Sequence, residues 1–223
     1  MTGAPVSRQL WGAIVVIALG PSLALSLARA DLIVTTGMQP WETCASCHSL
    51  DGISAMARFP KLAGQRADYI VKQIRDFRDG RRQNDGGQMV AIAGDIDEQD
   101  LAKSAGYFAG LPSPPPDPSL ATDSADWRRG AALYRDGDGT AGIAGCGSCH
   151  EPASARSDAP LLKAQHAAYL EKQLQDWRSG ARNNDPGRFM PEIARKLTDH
   201  DIAALAVFLA SQPRDASNAR QAQ

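Results

Sequence analysis

Apolar positions recur with helical spacing in two stretches that lie one hundred residues apart. From Ala67 to Arg78, Tyr69, Ile70, Ile74 and Phe77 fall on one face of a helix, and Gly80 suits its end. Tyr169, Leu170, Leu174 and Trp177 repeat the stripe, closed by Gly180. A later helix in each half opens on capping chemistry, Asp97-Glu98-Gln99-Asp100 and Thr198-Asp199-His200-Asp201, and runs through Tyr107-Phe108 and Phe208-Leu209. The second half also has an entry helix, Ser124 to Tyr134, with Gly130 inside it. In the first half Pro40 interrupts the short approach to Cys44, and a full N-terminal helix is not expected there. No stretch shows the sustained alternation of a strand, so the predicted fold class is all-α, with irregular segments between the paired helices.

Less regular stretches divide the chain. Arg8 precedes an apolar run from Trp11 to Leu27, and Ala28-Arg29-Ala30 offers a cleavage site. Residues 1–30 therefore read as an export signal and place the protein in the periplasm. The rival reading, a retained membrane anchor, is disfavoured by Gly20-Pro21-Ser22 and by the run's length, since a span needs about 20 apolar residues. Pro112 to Pro118 holds five prolines and reads as an extended, semi-rigid linker. The expected order is signal 1–30, first domain 31–111, linker 112–119, second domain 120–212 and a disordered tail 213–223. The tail is assigned because it contains no aromatic or large aliphatic residue.

The chain carries 24 basic and 25 acidic residues, a balance that gives no reason to expect a nucleic-acid partner. Aromatic residues make up only 6%, thin for two small cores that a large flat cofactor would help to fill. All four cysteines sit in two copies of one pattern, Cys44-Ala45-Ser46-Cys47-His48 and Cys146-Gly147-Ser148-Cys149-His150. C-x-x-C-H is the attachment motif of c-type haem. Thiols at i and i+3 share a helical face and reach the two vinyl groups of one porphyrin. The following histidine then lies beneath the iron. Disulfides would need no histidine after each pair. A zinc site needs its pairs about 15–20 residues apart, whereas these are 102 apart. A thioredoxin-like motif expects a βαβ pattern that is missing. Two covalently bound haems c follow, with His48 and His150 as iron ligands.

Shifted by 100 residues, the chain matches itself. Pro60, Leu62, Gln65, Tyr69, Lys72, Gln73, Asp76, Arg78, Gly80, Arg82, Asn84, Asp85 and Gly87 meet the same residue types at 160 to 187. The duplication selects the sixth ligands. Met89 and Met190 follow the repeated Asn-Asp stretch, 41 and 40 residues after their histidines, while Met38 and Met56 have no counterparts. A thioether is a soft ligand that favours ferrous iron. Core filling is the competing role for methionine. His166 and His200 face Arg66 and Gln99 in the repeat and are expected at the surface. Phe189, Pro191 and the entry helix with Tyr134 should shield the second haem better than the glycine-rich flank of Met89 shields the first. That shielding would make the second haem the one of higher potential.

Two C-x-x-C-H lobes, a Pro-rich linker, Phe59-Pro60-Lys61-Leu62-Ala63-Gly64-Gln65, the stretch Tyr69 to Gly80 and the Asn-Asp ahead of the methionine together resemble the cytochrome c4 family of dihaem cytochromes. The resemblance covers nearly all of residues 31–212. It implies two tandem class I cytochrome c domains packed about a pseudo-twofold axis. It also implies that the carbonyls of Pro60 and Pro160 accept a hydrogen bond from each proximal imidazole. The functional reading is an electron carrier, not an enzyme, passing electrons from a dehydrogenase or quinol-oxidising complex to a terminal oxidase. The alternative is the cytochrome subunit of an oxidoreductase such as a flavin-containing sulfide dehydrogenase. A dihaem enzyme such as a peroxidase or thiosulfate dehydrogenase is disfavoured, because each iron is offered a methionine and no cysteine is spare.

Overall fold

The computed structural model describes residues 1–2, 37–154 and 156–214. The predicted export signal therefore lies almost wholly outside the described residues, as does the tail beyond Arg214. Among the described residues nine helices and one isolated antiparallel bridge, Asp138 with Ile143, are formed.

The first lobe contains α1 (Pro40–His48), α2 (Ala67–Arg78), α3 (Gln88–Asp95) and α4 (Glu98–Gly110). Pro40 does not interrupt a helix, as the sequence suggested. It begins one, at the first helical position, where its missing N–H leaves nothing unpaired. Glu42 reaches back to the Gln39 N–H at 2.8 Å to close the cap. The α1 helix packs on α4, with Trp41 stacked on Tyr107 at 4.6 Å and 7°. Ile70, Ala105 and Phe108 form the buried centre of this lobe.

The second lobe contains α5 (Ala125–Arg135), α6 (Gly147–His150), α7 (Ala167–Ser179), α8 (Phe189–Lys196) and α9 (Asp199–Ala210). Thr198 caps α9 through a capping box with Asp201, and Ser124 caps α5. The α5–α9 crossing is close because residue 130 is glycine. A Cβ there would stand 2.1 Å from the Ala204 carbonyl oxygen. Leu133, Ile202, Leu205 and Leu209 fill a larger core than that of the first lobe.

The segments bearing the methionines are not irregular, as the sequence suggested. Met89 and Met190 each occupy the second position of a short helix, α3 and α8. The carboxylate ahead of each helix sets its start: Asp85 accepts from the Met89 N–H, and Asp185 from the Met190 N–H at 2.8 Å. Left-handed Gly87 and Arg188 make the turn into the helix.

The lobes meet through a self-complementary polar seam. Gln65 exchanges two bonds with the backbone of Leu161, accepting from its N–H at 2.8 Å and donating to its carbonyl at 2.9 Å. Gln165 makes the same exchange with Lys61, at 2.9 and 3.0 Å. Lys72 donates to the Asn184 carbonyl at 2.7 Å and Lys172 to the Asn84 carbonyl at 2.8 Å. The Asn84 and Asn184 amides donate to Asp176 and Asp76, both at 2.6 Å. Each contact appears twice with the lobes exchanged, as a twofold interface requires.

Candidate functional site

Both C-x-x-C-H motifs end helical turns. Cys44, Cys47 and His48 lie in α1, and Cys146 caps α6, which carries Cys149 and His150. Cys44 and Cys146 are partly buried, and burial pushes the Cys146 thiol up to about 11 and the Cys44 thiol upward. Neither is held as the thiolate that a cysteine nucleophile needs.

The imidazoles are oriented alike. His48 Nδ1 lies 2.8 Å from the Pro60 carbonyl oxygen, and His150 Nδ1 lies 2.8 Å from that of Pro160. A carbonyl only accepts, so Nδ1 carries the proton and Nε2 keeps its lone pair. Burial lowers the pKa of both rings, so they are neutral, the state in which imidazole binds a metal.

A cavity of about 640 Å³ runs through both lobes and is lined by His48, His150, Met89, Met190 and all four cysteines. Its walls include Ile70, Phe77, Leu170, Trp177 and Leu205. Two buried guanidiniums lie between the lobes at its edge. Arg82 donates to Gln73 at 2.8 Å, Gln173 at 3.0 Å, the Tyr169 hydroxyl at 3.1 Å and the Asn84 amide oxygen at 3.0 Å. Arg182 mirrors it on Gln173, Gln73, Tyr69 and Asn184. These acceptors are all neutral. Burial, and then the facing Arg82, pull Arg182 below its ordinary value. A flat apolar ring bearing two carboxylates suits this lining: apolar walls for the ring, buried cations for the carboxylates, and thiols and imidazole for attachment. The residues fit two porphyrins.

Of the remaining sequence-derived expectations, three need correction. His200 is exposed beside Asp126, as expected, but His166 is not a simple surface residue: its Nε2 reaches across the seam to Ser54. Phe189, expected to shield Met190, is 53% exposed and carries Arg156 over its ring, although Pro191 and Tyr134 are buried. Arg214, counted with the disordered tail, is buried and bonded. The seam itself was not foreseen. Its signal was present in Gln65, Gln73, Arg82 and Asn84, which recur at a spacing of 100 yet are not the apolar residues a helix core requires.

The comparisons with known proteins agree with this site. The cytochrome c family model matches residues 127–213. Cytochrome c4 of Pseudomonas aeruginosa is 38% identical over 189 residues, covering 82% of this chain and 90% of that protein. A thiosulfate dehydrogenase electron acceptor of Stutzerimonas stutzeri is 37% identical over 171 residues, covering 75% of this chain and 78% of its own. The crystal structure of reduced recombinant cytochrome c4 from Pseudomonas stutzeri matches with a TM-score of 0.65 at 34% identity, over 76% of this chain and 93% of that one. With two haem-attachment motifs in two tandem helical lobes, the chain belongs to the cytochrome c4 family and is a dihaem electron-transfer protein with two covalently bound haems c.

Proposed function

We propose that the protein is a periplasmic relay that takes electrons from a dehydrogenase or quinol-oxidising complex and delivers them to a terminal oxidase or a similar acceptor. In this reading Cys44, Cys47, Cys146 and Cys149 form the thioethers. His48 and Met89 ligate the first iron, and His150 and Met190 the second. The observation that carries it is the duplicated imidazole–carbonyl pair opening on one continuous cavity that also receives both methionines.

When bound, each haem supplies a one-electron couple. The chain's own residues do the rest. Pro60 and Pro160 hold each ring with its Nε2 lone pair free. Asp85 and Asp185 fix the first turns of α3 and α8 and thereby the methionine backbones. A thioether at the sixth position raises the potential and leaves no place for a substrate, which is why a carrier is favoured over an enzyme. The seam of glutamines and arginines keeps the two sites at one separation.

After expression with a haem-maturation system, intact mass should exceed the mature chain by two haems. The oxidised protein should show the weak sulfur-to-iron band at the red end of its spectrum. Met89→His and Met190→His should each lower one potential. A band that survives the double substitution unchanged would overturn the ligand assignment. A second reading, a dedicated acceptor bound to one oxidoreductase, is favoured by the Stutzerimonas stutzeri relative's name. A stable complex on purification would select it over the free carrier.

A further inference from the structure

The seam breaks its own symmetry directly after the paired glutamines. Arg66 and His166 stand at matching places, the positions that open α2 and α7, and each reaches into the other lobe. His166 Nε2 lies 3.0 Å from both the hydroxyl and the carbonyl oxygen of Ser54. The carbonyl only accepts, so Nε2 carries a proton, and burial lowers the ring's pKa, with Lys61 acting in the same direction. Lobe one thus receives a neutral ring. Lobe two receives a permanent charge. The Arg66 guanidinium enters the loop between His150 and Pro160, donating to the carbonyls of Glu151 at 2.6 Å, Ala159 at 3.0 Å, Pro152 at 3.3 Å and Arg156.

A second guanidinium reaches the same loop from the end of the chain. Arg214, 4% exposed, donates from Nε to the Lys163 carbonyl at 3.0 Å and from Nη1 to the Ala63 carbonyl at 2.7 Å. With His150, Glu151 and Pro152 it lines a void of about 10 Å³. Its Nη2 is buried with no direct partner among the described residues, and a void of that size has room for about one water. In lobe one the corresponding turn, at Gly64, meets the neutral Ser113.

The other charges around the second loop are balanced. Lys163 lies 2.7 Å from Glu151, and Arg156 lies 3.0 Å from Asp158. Asp158 is close enough for Arg66 to feel it, but it is already held by Arg156. Among the described residues neither Arg66 nor Arg214 makes an ion pair of its own. Arg82 and Arg182 repeat in both lobes and so do not distinguish them. Arg66 and Arg214 are thus left beside the loop behind His150, where their repeat partners His166 and Ser113 are neutral; lobe one has a cation of its own in the buried Lys61, which follows Pro60 where lobe two has Leu161.

We propose that Arg66 and Arg214 raise the potential of the second haem. The proposal rests on His150 being that haem's ligand. Oxidised haem carries one more positive charge than reduced haem, so a fixed cation behind the proximal ring favours reduction. At partly buried separations each charge should change the equilibrium constant for reduction about tenfold, which is about 59 mV for one electron.

The test is a potentiometric titration of the holoprotein, with each wave assigned to its lobe in the Met89→His and Met190→His backgrounds. Arg66→Gln and Arg214→Gln should each lower the lobe-two equilibrium constant for reduction about tenfold, and Arg66→Gln should leave the lobe-one wave nearly in place. Arg66→Lys should keep most of the wild-type potential. His166→Arg, which adds charge to lobe one, should raise the lobe-one wave. A lobe-two wave unmoved in both glutamine variants overturns the proposal. So does an equal loss in Arg66→Lys and Arg66→Gln, which would mean that the loop's geometry matters and its charge does not. The red-end ligand band, unchanged across these variants, separates failure here from failure of the ligand assignment.

Discussion

Replacing Gln165 by alanine removes a side chain that serves three backbone groups at once. It accepts from the Lys61 N–H at 2.9 Å and from the His166 N–H at 3.0 Å, and it donates to the Lys61 carbonyl at 3.0 Å. Gln165 is 5% exposed, so water does not reach these groups without the lobes parting. Leaving a buried donor or acceptor unsatisfied costs about 1–3 kcal/mol. Three such groups cost about 3–9 kcal/mol, which less up to about 2 kcal/mol of side-chain entropy regained leaves a net loss of at least about 1 kcal/mol. For a chain of this size that corresponds to a fall in melting temperature of at least about 2–4 °C. Gln65→Ala should behave alike, since it serves Leu161 and Arg66 with the same geometry. The measurement is thermal and guanidinium unfolding of the holoprotein followed by far-UV circular dichroism and haem absorbance. Gln83→Ala, at an exposed residue that donates to the Gly80 carbonyl, serves as control. Single variants that melt within a degree or two of wild type would show that water replaces these bonds readily and that the lobes are held by something else.

Acid should weaken the seam through His166. Its folded pKa lies below the ordinary 6.5 because of burial, so the unfolded chain takes up the proton first, and stability falls as pH drops below about 6.5. Denaturation of wild type and His166→Gln at pH 7.5 and 5.5 should show a smaller acid loss in the variant; an equal loss would exclude the ring. A chain ending at Gln212 should melt lower than one ending at Arg214, because only the first loses the bonds to Lys163 and Ala63; equal melting temperatures would show that the clasp contributes nothing. Ser104 is a buried hydroxyl on the wall of the cavity, beside the Cys44 thiol. A hydroxyl oxygen facing an oxidised iron favours the ferric form, so Ser104→Leu should raise the lobe-one potential by roughly 20–40 mV, the electrical equivalent of about 0.5–1 kcal/mol. A potential that falls or stays put would refute this.

Long amphipathic helices were legible because packing and period coincide in them. The α2 helix spans the predicted Ala67 to Arg78, and α4, α5 and α9 begin at the capping residues named for them. The short α3 and α8 were not legible. Eight residues give barely two turns, too few for a stripe to stand out, and what starts them is a carboxylate several positions upstream. Pro40 was misread because proline both breaks helices and begins them, and only the capping partners Gln39 and Glu42 decide which. Both attachment motifs were visible as motifs, and both methionines through the repeat. Arg214 left no trace in the pattern, since a single arginine in an apolar-poor tail is indistinguishable from a solvated one until its acceptors, two backbone carbonyls in different lobes, are seen.

The duplication explains why one interface both joins the lobes and distinguishes them. In a twofold seam each repeated residue acts in two places, so Gln65 with Gln165, Arg82 with Arg182 and Lys72 with Lys172 supply identical restraints to both sites and fix their separation without favouring either. A difference between the sites can come only from positions where the repeat fails. Several such positions lie beside the cavity or the proximal loops, among them Arg66 against His166, Arg214 against Ser113, Ser104 against Leu205, Lys61 against Leu161 and Arg58 against Asp158. They do not all act in one sense. Arg66 and Arg214 place charge beside the second imidazole's loop where their repeat partners are neutral, and serine places a hydroxyl at the first site where the second has leucine, whereas Lys61 and Arg58 place charge in the first lobe where the second has leucine and aspartate. The first group favours reduction of the second haem and the second group that of the first, so the direction an electron takes between the lobes is the balance of these charges across a seam whose matched contacts keep the path fixed.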